Sequence, residues 1–167
     1  MADALYFAPW IAGAALAGTL AALAWIDWRT GYLPDRLTLP LLAAGLLYMG
    51  WSAGLAGFAD GLLGAGVGYG AFVALEKSYK ALRGVDGLGR GDAKLLAAGG
   101  AWCGWAALPL IVLTASLLGL GFVGASAALR RRGVASTQAI AFGPHIAAAI
   151  LAVWITTQSA VYGRIYP

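Results

Sequence analysis

The sequence predicts an all-α, polytopic membrane bundle of about six transmembrane helices. Three observations predict it. Of the 167 residues 61% are hydrophobic and only 11% charged, and the mean hydropathy is +0.79, far more apolar than a soluble domain of this size tolerates. Several uncharged runs reach the roughly 20 residues that a helix needs to cross ~30 Å of hydrocarbon. These runs are too long for barrel strands and lack the in-out alternation that such strands require.

The elements follow in order. A first helix is expected from about Leu5 to Ile26, ending at "DWRTGYLPD", where Gly31 and Pro34 stop it. Asp3 is the only charge ahead of this run and no basic segment leads into it, so the run reads as a retained span rather than a cleaved signal. A second helix is expected from Arg36 to Met49 and a third from Gly57 to Tyr79. In the third, Gly57, Gly61, Gly64 and Gly68 recur three or four apart and form a stripe suited to close helix contact. The chain turns polar and glycine-rich from Glu76 to Asp92. The uncharged run after Lys94 is too long for one span and must bend, with "CGWAALP" as the bend. That divides it into a short fourth helix (Asp92 to Trp102) and a fifth (Ala107 to Leu129). The sixth runs from Pro144 to Val161. With no soluble region, low-complexity segment or internal repeat, residues 1–167 read as one integral-membrane domain.

Charge gives the orientation. Ten of the eleven Lys and Arg residues fall in the first, third and fifth loops, and only Arg164 lies on the other side. The positive-inside rule makes those loops cytoplasmic and puts both termini outside. The net charge of +4 is therefore a topology signal, and "LRRRG" calls for no nucleic acid. With one cysteine, Cys103, and one histidine, His145, neither an intramolecular disulfide nor a zinc site of ordinary ligand count can be assembled, so no metal or cofactor is expected.

Of the seven acidic residues, Asp3 and Asp60 have easy access to water on the outer side. The other five, Asp27, Asp35, Glu76, Asp86 and Asp92, lie on the cytoplasmic side. Asp27 directly follows an apolar span and Asp92 directly precedes one, so both are held at the same membrane boundary. Taken singly, Asp92 suits a helix N-cap and Asp27 a solvated helix end. Taken together, two carboxyls at one depth in a poorly hydrated site cannot both ionise cheaply. One protonated and one ionised carboxyl can activate a water and protonate a leaving amide, and the titration belongs to the pair. Gly89 and Gly91, lacking Cβ atoms, would let a peptide backbone approach Asp92 and let the loop from about Lys80 to Gly91 adopt unusual conformations.

These residues resemble the catalytic core of the type IV prepilin peptidases, membrane aspartic proteases of the GxGD class. "IDWRTGYLPDRLTLPLLAAGLL" resembles the family's first motif, "GLGRGDAKLLAAGGAWCGW" its G-x-G-D-x-K motif, and "IAFGPHIA" its terminal Phe-Gly-Pro segment, in family order from about residue 25 to 150. The resemblance implies that Asp27 and Asp92 are the catalytic pair. Gly89, Gly91, Lys94 and Asp35 match supporting motif positions: Asp35 suits a cap of the second helix, and Lys94 a counter-charge for local carboxylates. Phe142, Gly143 and Pro144 match a segment that would line the substrate channel. Bifunctional members carry an amino-terminal region with paired CxxC motifs associated with N-methylation. This chain has one cysteine, so cleavage without N-methyltransferase activity is expected. His145 stands where the family has an aromatic or apolar residue and reads as a helix-start feature.

The expected function is thus a membrane aspartic endopeptidase of the bacterial cytoplasmic membrane. It would remove the short basic leader of a prepilin or pseudopilin at the cytoplasmic face, with the bilayer and the precursor as its partners. A proton-coupled transporter or channel subunit is the alternative, since intramembrane carboxylates mark proton paths. Those more typically lie near mid-bilayer, whereas Asp27 and Asp92 lie at one edge.

Overall fold

A computed structural model of the chain describes residues 2–84, 89–130 and 141–165. Asp86 and Gly87 of the glycine-rich loop, together with Arg131 and Arg132, lie outside the described residues. All regular structure that is described is helical: α1 (Ala2–Thr30), α2 (Asp35–Arg83), α3 (Arg90–Cys103), a single 3-10 turn (Trp105–Ala107), α4 (Leu108–Arg130) and α5 (Gly143–Ile165).

Helix α1 runs past Ile26 and ends where Gly31 takes a left-handed φ of +64° and donates its N–H to the Asp27 carbonyl at 2.8 Å. Asp27 therefore sits inside the last turn rather than after the helix. Pro34, at φ −72° and ψ 130°, then starts α2.

The second and third expected helices are the two arms of α2, which follow each other without a loop: the backbone leaves helical geometry between them at Ala53 (φ −131°, ψ 15°) and Gly54 (φ 64°, ψ −153°). The Gly54 conformation is essentially closed to residues with a Cβ. Beyond the bend the chain doubles back: Gly57 lies against the Met49 carbonyl, and a Cβ on Gly61 would stand 3.4 Å from Leu46 and 3.6 Å from Met49.

The expectation of about six transmembrane helices is corrected here. Among the described residues three helices are long and apolar enough to cross a membrane, Ala8–Thr30, Asp35–Arg83 and Trp105–Ala128. One reason is that the second and third expected helices are the two arms of the single, broken α2. Another is that α3 has 14 residues, about 21 Å at helical rise, which falls short of the hydrocarbon thickness.

The short α3 is the centre of the bundle. Every residue from Ala93 to Trp102 except Lys94 is buried. Both arms of α2 lie against it. The glycine stripe meets its backbone: Gly61 faces the Ala101 carbonyl, Gly64 packs directly on Gly100, and Gly68 faces the Leu96 carbonyl at 3.0 Å from an added Cβ. Such backbone approach substitutes for the hydrophobic driving force that lipid does not supply between helices. The other arm is fastened by the Trp102 indole, which donates to the Leu41 carbonyl at 2.8 Å and stacks on Tyr48 with centroids 5.3 Å apart. Ile111 of α4 and Ile150 of α5 close around Gly99. The outward side chains are apolar, with Trp10, Leu55 and Leu120 at least 71% exposed, as a lipid-facing surface requires. The protein is a multi-pass membrane protein.

Candidate active site

One end of the bundle gathers the last turn of α1, the first turns of α2, α3 and α5, and the end of α2. Asp27 projects from α1 and is 6% exposed. Its Oδ2 accepts the Gly143 backbone N–H at 3.1 Å. Gly143 opens α5, so its N–H is one of the donors that a helix start leaves without an intrahelical partner. A Cβ on Gly143 would lie 2.5 Å from Oδ2 and 2.9 Å from Cγ of Asp27. The glycine of "FGP" is therefore a requirement of contact: only hydrogen fits between the α5 start and the carboxyl.

Asp92 lies in the first turn of α3, outside the three long spans, and its N–H donates to the Gly89 carbonyl at 3.1 Å. Its carboxyl is pushed up to about 7, first by burial and then by the negative charge of Asp27. The two aspartates, distant in sequence, thus act on each other at the bundle end. The N-cap reading of Asp92 does not hold, because Gly89 is the N-cap and provides no side-chain cap. Gly89 is extended at φ −79°, ψ 131°, and an added Cβ would rest 3.5 Å from Asp92 Oδ2. Its backbone is not one that only glycine can adopt. Gly91 is already helical and abuts Leu33.

Asp35 and Lys94 pair with each other, Nζ to Oδ1 at 2.6 Å. Asp35 does not cap α2, whose N-cap is Pro34. The Asp35 carboxylate, as acceptor and as neighbouring charge, holds the Lys94 ammonium above its usual range. Sequence reasoning gave no role to Glu76 or Leu33. Glu76, with a side chain 13% exposed, meets Arg90 Nε at 3.5 Å across the glycine-rich connection. Its one sequence signal was a carboxylate at the end of an apolar helix. Leu33 was legible only as part of "LPD".

Phe142 and Pro144 flank Gly143. The Phe142 carbonyl accepts the N–H groups of His145 and Ile146, both at 3.1 Å, which fixes the α5 start. His145 is a helix-start residue, as expected, and is buried against Phe122 and Phe142 at centroid distances of 5.6 and 6.2 Å. The site thus offers two interacting carboxyls, one of them able to hold a proton near neutral pH, beside a helix start.

The sequence model of the type IV leader peptidase family matches residues 14–124, which include Asp27, Asp35 and the "GRGDAK" segment. The chain belongs to the type IV leader peptidase family. Among curated proteins, a prepilin leader peptidase/N-methyltransferase of Escherichia coli (strain K12) is 48% identical over 122 residues, 73% of this chain and 52% of that protein. The protein of the same description from Burkholderia pseudomallei (strain 1026b) is 44% identical over 138 residues, 83% of this chain and 44% of that one. That of Aeromonas hydrophila is 43% identical over 145 residues, 87% and 48% of the two chains. The chain spans about half the length of the curated relatives it matches. No solved structure gives a significant match.

Proposed function

We propose that this protein is a membrane aspartic endopeptidase that removes the short basic leader from a prepilin or pseudopilin precursor, with Asp27 and Asp92 as its catalytic pair. The observation that carries the reading is the electrostatic coupling of these two carboxyls at one bundle end, within the region matched to the family. One carboxylate takes a proton from a water as its oxygen bonds to the scissile carbonyl carbon, while the protonated carboxyl gives its proton to the carbonyl oxygen. Collapse of the tetrahedral intermediate breaks the C–N bond, the proton taken from water goes to the departing amine, and a hydroxyl of the diol returns its proton to the second carboxylate, which restores the pair. The roles are assigned to the pair and not to one member.

The reading includes sidedness. Arg29, Arg36, Lys77, Lys80, Arg83, Arg90 and Lys94 cluster in sequence around the segments that form this end, which by the positive-inside rule supports a site open to the cytoplasmic face of the inner membrane. A precursor whose apolar segment enters the bilayer would keep its basic leader on that side. Gly89, Gly91 and the Phe142–Gly143–Pro144 segment border the approach to the pair. The test is co-expression with candidate prepilins and measurement of leader removal by mass. The expected result is processing by the wild type and none by Asp27→Asn or Asp92→Asn at equal membrane content; normal processing by either variant refutes the assignment.

A further inference from the structure

Two motif elements have no part in that chemistry, the "LPD" turn and the lysine of "GDAK". The D-x-K spacing suggests that Lys94 tunes Asp92 directly. The geometry is otherwise: residues two apart on a helix lie about 200° apart around its axis, so Lys94 points away from the side of Asp92. Its ammonium goes to Asp35 at 2.6 Å. Gly91 and Lys94, three apart, share a face of α3, and that face is met by one short segment. Leu33, 4% exposed, sits where a Cβ on Gly91 would come within 3.0 Å of its Cβ and 3.2 Å of its Cδ1. Two residues on, Asp35 takes Lys94. This segment begins six residues after Asp27, and Gly31, between them, closes the end of α1 by bonding back to the Asp27 carbonyl itself.

We infer that Leu33 on Gly91 and Asp35 on Lys94 form a two-point clamp that sets the position of Asp92 relative to Asp27, making Leu33, Asp35, Gly91 and Lys94 positioning residues for the proposed cleavage. The inference rests on the peptidase reading and adds to it the reason two separate motifs are matched. The helix that carries Asp27 passes through its own terminal turn into the segment that grips α3 on both sides of Asp92. Sliding α3 along that segment requires breaking both contacts at once.

The test is a double-mutant cycle on the full-length protein, with initial rates of prepilin cleavage normalised to inserted, monodisperse enzyme. Asp35→Asn and Lys94→Gln are each expected to lower kcat roughly tenfold with KM within about twofold, because a misplaced catalytic group slows chemistry without removing substrate contacts. The double variant is expected to be no slower than the worse single, the mark of one shared interaction. Lys94→Arg, which can still reach Asp35, is expected to stay within about threefold of wild type. Gly91→Ala tests the other point and is expected to lower kcat while the ion pair is intact. The clamp is overturned by wild-type kcat in Asp35→Asn and Lys94→Gln, by fully additive losses, or by losses confined to the amount of folded protein. Each of these outcomes leaves wild-type cleavage in place. Failure of the wild-type protein to process any prepilin overturns instead the function on which the clamp rests.

Discussion

Replacing Gly143 with alanine places one methyl group against the carboxyl of Asp27. The added Cβ would stand 2.5 Å from Oδ2, 2.9 Å from Cγ and 3.3 Å from Cβ of Asp27. Ordinary contact begins near 3.4 Å, so Oδ2 must retreat by about 0.9 Å, or the α5 start must back away by the same amount. Asp27 is 6% exposed and has little free space to move into. Either displacement stretches the 3.1 Å bond from the Gly143 N–H to about 4 Å, which ends it. Loss of a hydrogen bond to a potentially charged group costs about 1.5–3 kcal/mol, and a 1 Å misplacement of a reacting group costs up to about 10²-fold in rate. Gly143→Ala is therefore expected to slow leader cleavage by roughly 10- to 100-fold. Helix formation does not suffer, since alanine favours it. The assay is the initial rate of leader removal by purified enzyme in lipid vesicles, followed by mass. The control is Gly70→Ala, on the helical backbone of α2 with nothing within 4 Å of an added Cβ, expected within about twofold of wild type. Wild-type rates for Gly143→Ala, or an equal loss for Gly70→Ala, refute the reasoning.

Cleavage needs a proton on the pair, so activity is expected to fall as pH rises through about 7, where Asp92 loses its proton, by roughly tenfold per unit above it, and to recover on return to pH 6.5; a rate flat from pH 6.5 to 9 excludes this. The folded state binds that proton more tightly than the unfolded chain does, with the carboxyl moved up from 3.8, so stability is lost as pH rises from 3.8 to about 7. Asp92→Asn is accordingly expected to be inactive yet to melt higher than wild type at pH 8, which thermal unfolding in detergent measures. Chelators are expected to leave the cleavage rate unchanged, since the chain has one histidine and one cysteine. A cysteine at the exposed Arg83, in a Cys103→Ala background, is expected to react with a permeant thiol reagent and to resist an impermeant one added outside intact cells; impermeant labelling reverses the proposed orientation.

The sequence by itself determined the solvent and singled out the carboxyls on which the proposed chemistry rests. Long uncharged runs specify a helical membrane protein because a lipid-embedded backbone must satisfy its own hydrogen bonds. Asp27 and Asp92 could be singled out because carboxylates beside apolar runs are costly and therefore stand out. The stripe of Gly57, Gly61, Gly64 and Gly68 foretold close packing, since small residues recurring on one helix face permit it. Tertiary structure alone decided the rest. Hydropathy carries no information on how two successive apolar runs are joined, and only the Ala53–Gly54 backbone shows that they turn back on each other without a loop. A spacing such as D-x-K tells which residues are near along a helix, but not that Lys94 turns to Asp35 across a helix boundary. A glycine before a proline reads as a turn until the chain folds. It then proves to be the one residue small enough for the start of α5 to touch Asp27, because a contact between segments far apart in sequence is fixed by packing and leaves no local trace.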